Sequence, residues 1–224
     1  LQHPCSQDPT DRAALLLEMG RVALAFGDFD TATQSLAGAE ELLEQLPPEG
    51  RLKVHGFRVH IRLAQWRDEA GLAEALHLAE EARATGQRRL EGMLMNDAAL
   101  AMYSLGYARP TVVETAQRAI ACLSPERGPA APIARMTAAL AAATIQDALG
   151  WVEEALEAAV LAGEVVLWPR LLHLIGRLER ASGSWQVARG VFEASLLIAG
   201  RTGDQAERCT TMGDMALLLA WMGE

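Results

Sequence analysis

The chain has 224 residues, half of them apolar, with a net charge of −9 and a pI near 5.1. That acidic balance excludes a phosphate-gripping nucleic-acid module, which needs a basic face. No apolar run approaches the roughly 20 residues of a membrane-crossing helix.

Ala and Leu dominate and β-branched runs are scarce, which favours helix over strand. Residues 11–26 place Ala14, Leu15, Leu17, Val22, Leu24 and Phe26 at helical spacing. Gly27-Asp28-Phe29-Asp30 breaks that run, glycine supplying a C-cap and either aspartate a new N-cap. A second helix reaches about Leu46, where Pro47-Pro48 ends it. The next pair spans 50–67 and 71–85 around Asp68-Glu69-Ala70-Gly71 and closes at Thr85-Gly86. A third pairs 88–105 with 110–123 around Gly106-Tyr107, Pro110 sitting in a first turn that needs no N–H there. A Pro/Gly-rich loop from Ser124 to Pro132 follows. A fourth pairs 132–149 with 151–164 around Gly150-Trp151, and a fifth pairs 169–181 with 185–199 around Ser182-Gly183-Ser184. One last unpaired helix occupies 205–222.

The expected architecture is therefore all-α: eleven antiparallel helices in five pairs plus one, forming a single array over 1–224. Its units are 11–46, 50–86, 88–123, 132–164, 169–200 and an incomplete 205–224. The chain starts at Leu1 and stops at Trp221-Met222-Gly223-Glu224, in mid-repeat, so it is expected to be a piece of a longer protein.

Self-similarity underlies this division. Gly20-x6-Gly27-x-Phe29-x2-Ala32-x3-Leu36 recurs 156 residues later as Gly176-x6-Gly183-x-Trp185-x2-Ala188-x3-Phe192, and Gly150-x-Val152-x2-Ala155-x3-Ala159 lies between. Small residues at Ala32, Ala75, Ala155 and Ala188, with Val112 in a weaker copy, are expected to let paired helices touch. The aromatic near each turn, such as Trp185, is expected to plug the seam.

The pattern Gly-x2-Ala/Tyr-x3-Gly-x-Phe/Trp-x2-Ala-x3-Phe/Leu resembles the tetratricopeptide (TPR) signature, best in 20–39 and 176–195 and less fully in 143–162. The anchor spacings of 43, 37, 43 and 33 exceed, on average, the roughly 34 residues of an ordinary unit. Long, Ala/Leu/Arg-rich units of this type are similar to the TPR sensor arrays of large bacterial transcriptional regulators of the maltose-operon-activator and antibiotic-regulatory-activator kinds. The resemblance implies a right-handed α-α superhelix whose first helices line a concave groove. It is specific for fold and silent on the ligand.

By that resemblance the groove positions of the fifth unit are Arg170, His173, Arg177 and Arg180, a basic stripe in an acidic chain. Two readings meet here. Arginine forks would clamp a carboxylate or phosphate, or the face is solvated or paired with acids of a neighbouring helix, Glu164 and Glu179 being near in sequence. Arg51, His55, Arg58 and Arg62 form a second basic stripe, with His60 at a groove position on the same helix. Arg21, Asp97, Thr144 and Asp147 complete the groove lining, Asn96 and Asp97 being placed to hold a peptide backbone.

No catalytic motif occurs: no GxGxxG, Walker A, GxSxG or HExxH, and no metal-ligand spacing. Cys5, Cys122 and Cys209 are odd in number and far apart, suggesting free thiols in a reducing cytoplasm. The expected function is a non-catalytic interaction and sensor module needing no cofactor or metal. It would bind a peptide, partner domain or small effector, acidic or anionic in character, with no direct contact to nucleic acid or membrane. The alternative is a structural scaffold that self-associates, as a homodimer, through the ends of its array.

Overall fold

Helix punctuation in this chain is polar and local. A computed structural model describes residues 8–124 and 128–223; among these there are eleven α-helices, two short 3-10 turns and no strand. Two units, Leu1–Gly106 and Tyr107–Glu224, are each compact.

The first unit holds α1 (Pro9–Ala25), α2 (Phe29–Glu40), α3 (Pro48–Gln65), α4 (Glu69–Ala84) and α5 (Arg88–Leu105). Asp8, Asp28 and Asp68 begin α1, α2 and α4, each carboxylate accepting from the backbone N–H of Thr10, Thr31 and Gly71 in turn. This satisfies donors that a helix start leaves open. Each helix packs on the next, and α3 also packs on α1 and on α5. The core of α1–α3 gathers Ala13, Leu17, Ala32, Leu36, Phe57 and Ile61. A Cβ on Gly20 would stand 2.5 Å from the Phe57 ring, so only glycine admits that ring against α1. In the α3–α4 turn Arg67 takes the left-handed conformation at φ 45°, the one non-glycine among the described residues with positive φ.

The second unit holds α6 (Arg109–Leu123), α7 (Ala130–Ala141), α8 (Ile145–Ala162), α9 (Trp168–Ser182), α10 (Trp185–Thr202) and α11 (Gln205–Met222). Neighbours again pack in succession, and α11 reaches back to α9. Gly176 of α9 faces Phe192 of α10, whose ring would lie 2.5 Å from an added Cβ. Phe192 itself is fully buried.

Ala32, Ala75, Val112, Ala155 and Ala188 have no exposed surface, as the seam positions require. Two expectations are corrected. The fourth pair does not turn at Gly150-Trp151: α7 ends at Ala141, Thr144 caps α8, and Gly150 lies inside α8. Trp185 does not plug a seam, being 41% exposed; the fully buried Phe192, one turn further from the start of α10 than Ala188, fills that space.

Candidate functional site

The basic stripe of α9 faces α11, and α11 answers it with carboxylates. Arg170 donates to Asp204 at 3.4 Å. His173 stands between two acids, Nδ1 at 2.8 Å from Glu207 and Nε2 at 2.7 Å from Asp214. Arg180 donates to Asp214 Oδ1 at 2.8 Å and to its backbone carbonyl at 3.2 Å. Arg177 lies 3.8 Å from the same carboxylate and keeps about half of its side chain exposed. The acids come from α11, not from Glu164 or Glu179; Glu179 instead accepts from Ser182.

The ladder sets its own protonation. Burial opposes a charge on His173, but hydrogen bonds and negative charge from Glu207 and Asp214 outweigh it and hold the pKa above the usual imidazole value. Burial likewise opposes the Asp214 carboxylate, and His173 and Arg180 overcome it, lowering its pKa. Both His173 nitrogens face carboxylates, so the imidazolium donates twice and binds α9 to α11. An external anion at this stripe would have to displace Asp214 from Arg180 and His173.

In the first unit, α1, α3 and α5 bring Arg21, His60 and Asp97 around one small cavity of about 10 Å³. His60 Nδ1 meets Asp97 Oδ2 at 2.7 Å. Burial lowers the His60 pKa, and the charge and hydrogen bond of Asp97 raise it further than burial lowers it. Arg21 lies over the Phe57 ring at 5.9 Å and pairs with Glu18. Asn96 and Asp97 are both buried, so neither presents an open amide clamp to a peptide. A volume this small has room for no more than a water.

Asp147 is not on a first helix. It occupies the first turn of α8, where its N–H bonds Thr144 Oγ1 and its carboxylate accepts from the same hydroxyl. There it lines an open cleft of about 700 Å³ with Arg109, Glu114, Trp151 and Glu154. The second basic stripe is also engaged: Arg58 and Arg62 pair with Glu74, Arg62 pairs with Asp68, and Arg51 donates to the Leu46 carbonyl.

The acids of the two histidine pairs carry a signal that repeat matching on glycines missed. Met95-x-Asp97-x-Ala99-Leu100-x5-Gly106 recurs as Met212-x-Asp214-x-Ala216-Leu217-x5-Gly223. In both copies the aspartate receives a histidine from the first helix of the preceding pair. Trp221 is 60% exposed beside exposed Leu217, and Arg180 lies over its ring at 5.5 Å. Together with Arg177 these residues form an aromatic, cationic and apolar patch on α9 and α11.

Among the described residues no group of three or more His, Cys, Asp or Glu is arranged to hold a metal ion, and no helix is long and apolar enough to cross a membrane. Cys122 is half-buried and Cys209 is an exposed free thiol; Cys5 lies outside the described residues. The chain matches no protein-family model and no curated protein sequence.

Proposed function

We propose that this chain is a non-catalytic interaction and sensor module of TPR type, a right-handed superhelical array within a cytoplasmic bacterial transcriptional or signalling regulator. It binds a peptide or the segment of a partner protein on the first-helix side of α9 and α11. The observation that carries this reading is the exposed patch of Trp221, Leu217 and Arg177 beside a ladder of satisfied ion pairs. Exposed Trp and Arg are the side chains that most often dominate binding energy at interfaces. Arg177 and the Arg180-backed indole suit a segment with an acidic and an aromatic or aliphatic residue. The ladder beneath fixes the geometry of the patch, since Arg180 is held by Asp214 while it stacks on Trp221.

The test is selection from a displayed random peptide library against the intact chain. Enrichment of acidic, apolar-containing peptides that is lost with Trp221→Ala supports the reading. Recovery of the same peptides with equal affinity by Trp221→Ala and Arg177→Glu refutes the patch as the site.

A further inference from the structure

Helices α6 and α8 both pack on α7, and both line the open cleft of about 700 Å³. The steps 110–113–117 on α6 and 147–150–154 on α8 keep the lining residues on one side of each helix. Ala141–Ala143, between α7 and α8, bring only methyl groups to the cleft. A Cβ on Gly150 would meet nothing within 4 Å. Small side chains at these four positions leave the space open, and its volume is that of a small-molecule site, about 300–1,000 Å³.

The charges around the cleft do not balance. Glu114, Asp147 and Glu154 line it together with a single guanidinium, that of Arg109. Arg109 donates to the Ala142 carbonyl at 3.3 Å. Glu154 lies 3.6 Å from Arg135 Nε, and the other Arg135 nitrogens donate to the Ala131 carbonyl and the Ser124 hydroxyl. Asp147 accepts from the Thr144 hydroxyl, a neutral partner that leaves its charge in place. Glu114 is exposed and has no ion pair among the described residues. With Arg109 and Arg135 both counted against the three carboxylates, negative charge is still in excess. Beside these acids stands Trp151, half-buried and packed on the core of α7–α9. An indole face attracts a cation through its ring quadrupole and offers apolar area to the rest of a ligand.

We propose that this cleft binds a small organic cation with an apolar, aromatic body, the charge held near Glu114 and Asp147 and the body against Trp151. Charge sign selects against an anion. The apolar floor selects against a bare inorganic cation, which would keep its water, and no group of side chains among the described residues is arranged to hold a metal ion. None of these residues belongs to the α9–α11 patch, so the cleft stands or falls without that reading.

The probe is tetraphenylphosphonium, with tetraphenylborate as a control of the same shape and opposite charge. The intact chain is labelled with 5-fluorotryptophan, and its five tryptophans are followed by fluorine NMR, each signal assigned by a Trp→Phe variant. The phosphonium is expected to move the Trp151 signal saturably and to bind about tenfold or more tighter than the borate, as unlike charges near a protein surface require. Added salt is expected to narrow that gap. Glu114→Lys, at an exposed position, is expected to weaken phosphonium binding by about tenfold with the thermal melt unchanged. Equal affinity for the two probes overturns the proposal, because the cleft would then be merely apolar. Undiminished binding by Glu114→Lys overturns it as well, and so does a response confined to Trp221 or spread evenly over all the signals.

Discussion

Alanine in place of Gly176 sets two effects against each other. In a helix interior, Gly to Ala is favourable by roughly 0.8–1 kcal/mol. Here the new methyl would meet Phe192 Cε1 and Cδ1 at 2.5 and 2.6 Å, about 1 Å inside ordinary carbon contact. Phe192 has no exposed surface, Ala188 on the same helix has none, and the His173 ring lies 5.8 Å away, so the ring has nowhere to retreat. Overpacking of this kind costs about 1–3 kcal/mol, leaving Gly176→Ala destabilising by roughly 1 kcal/mol. Gly150 is the matched control, since it too lies inside a helix but a Cβ there meets nothing within 4 Å. Gly150→Ala should therefore stabilise by about 0.5–1 kcal/mol. Urea unfolding of the intact chain, followed by circular dichroism, reads both from the midpoint at constant slope. In a Phe192→Leu background the penalty for Gly176→Ala should shrink, showing coupling between the two positions. Should Gly176→Ala raise the midpoint as Gly150→Ala does, the placement of the Phe192 ring against α9 is wrong.

Two more outcomes follow from the ladder. The folded pKa of His173 is raised, so its proton contributes stability that is fully present below about pH 6.5 and is lost as pH rises through the folded value. Asp214, with a lowered pKa, adds stability present above its usual titration range and lost on acidification. Urea midpoints measured from pH 5 to 9, on the order of one unit apart, should fall on the alkaline side in the native chain, and His173→Gln should flatten that fall; an unaltered slope would show that the imidazolium does not hold α11. Arg180→Met should cost about 2 kcal/mol, because a partly buried Asp214 loses its closest guanidinium. Arg177→Met should cost within about 0.5 kcal/mol, its side chain being mostly in water; equal melting shifts for the two would count against the assigned partners.

Glycines and prolines made most of the punctuation readable in advance. The limits of α5 and α11 coincide with those expected from Gly106 and from the Gly200–Asp204 segment. The fourth pair was misread because Gly150 imitates Gly183 in the repeat pattern, while the real turn at 142–144 contains neither glycine nor proline. Its signal was a hydroxyl cap, Thr144 followed three residues on by Asp147, a capping-box arrangement. The seam alanines were legible because their smallness has one cause, close helix approach. The fate of the α9 stripe was not legible from α9 alone. Charge spacing along one helix shows that a stripe exists, whereas its partners depend on which helix packs opposite. Asp204, Glu207 and Asp214 are each 34 or more residues away from the groups they bind. Aligning the Met-x-Asp-x-Ala-Leu copies would have brought His60–Asp97 and His173–Asp214 out together.

The Arg67 turn carries a consequence for any attempt to regularise this chain toward a repeat consensus. A non-glycine residue in the left-handed region costs roughly 1–2 kcal/mol, so averaging over the other turns would install glycine there. Yet the Arg67 guanidinium donates to Ser104 Oγ at 3.2 Å, and Ser104 in turn donates to the Leu100 carbonyl. The strained turn is thereby strapped to the far end of α5, a helix two places further along the chain. Consensus repair would relax one residue's backbone and cut that strap. The α3–α4 pair departs from the glycine pattern because its turn is specified by a side-chain tie across helices, a kind of information that a pattern of glycines does not encode.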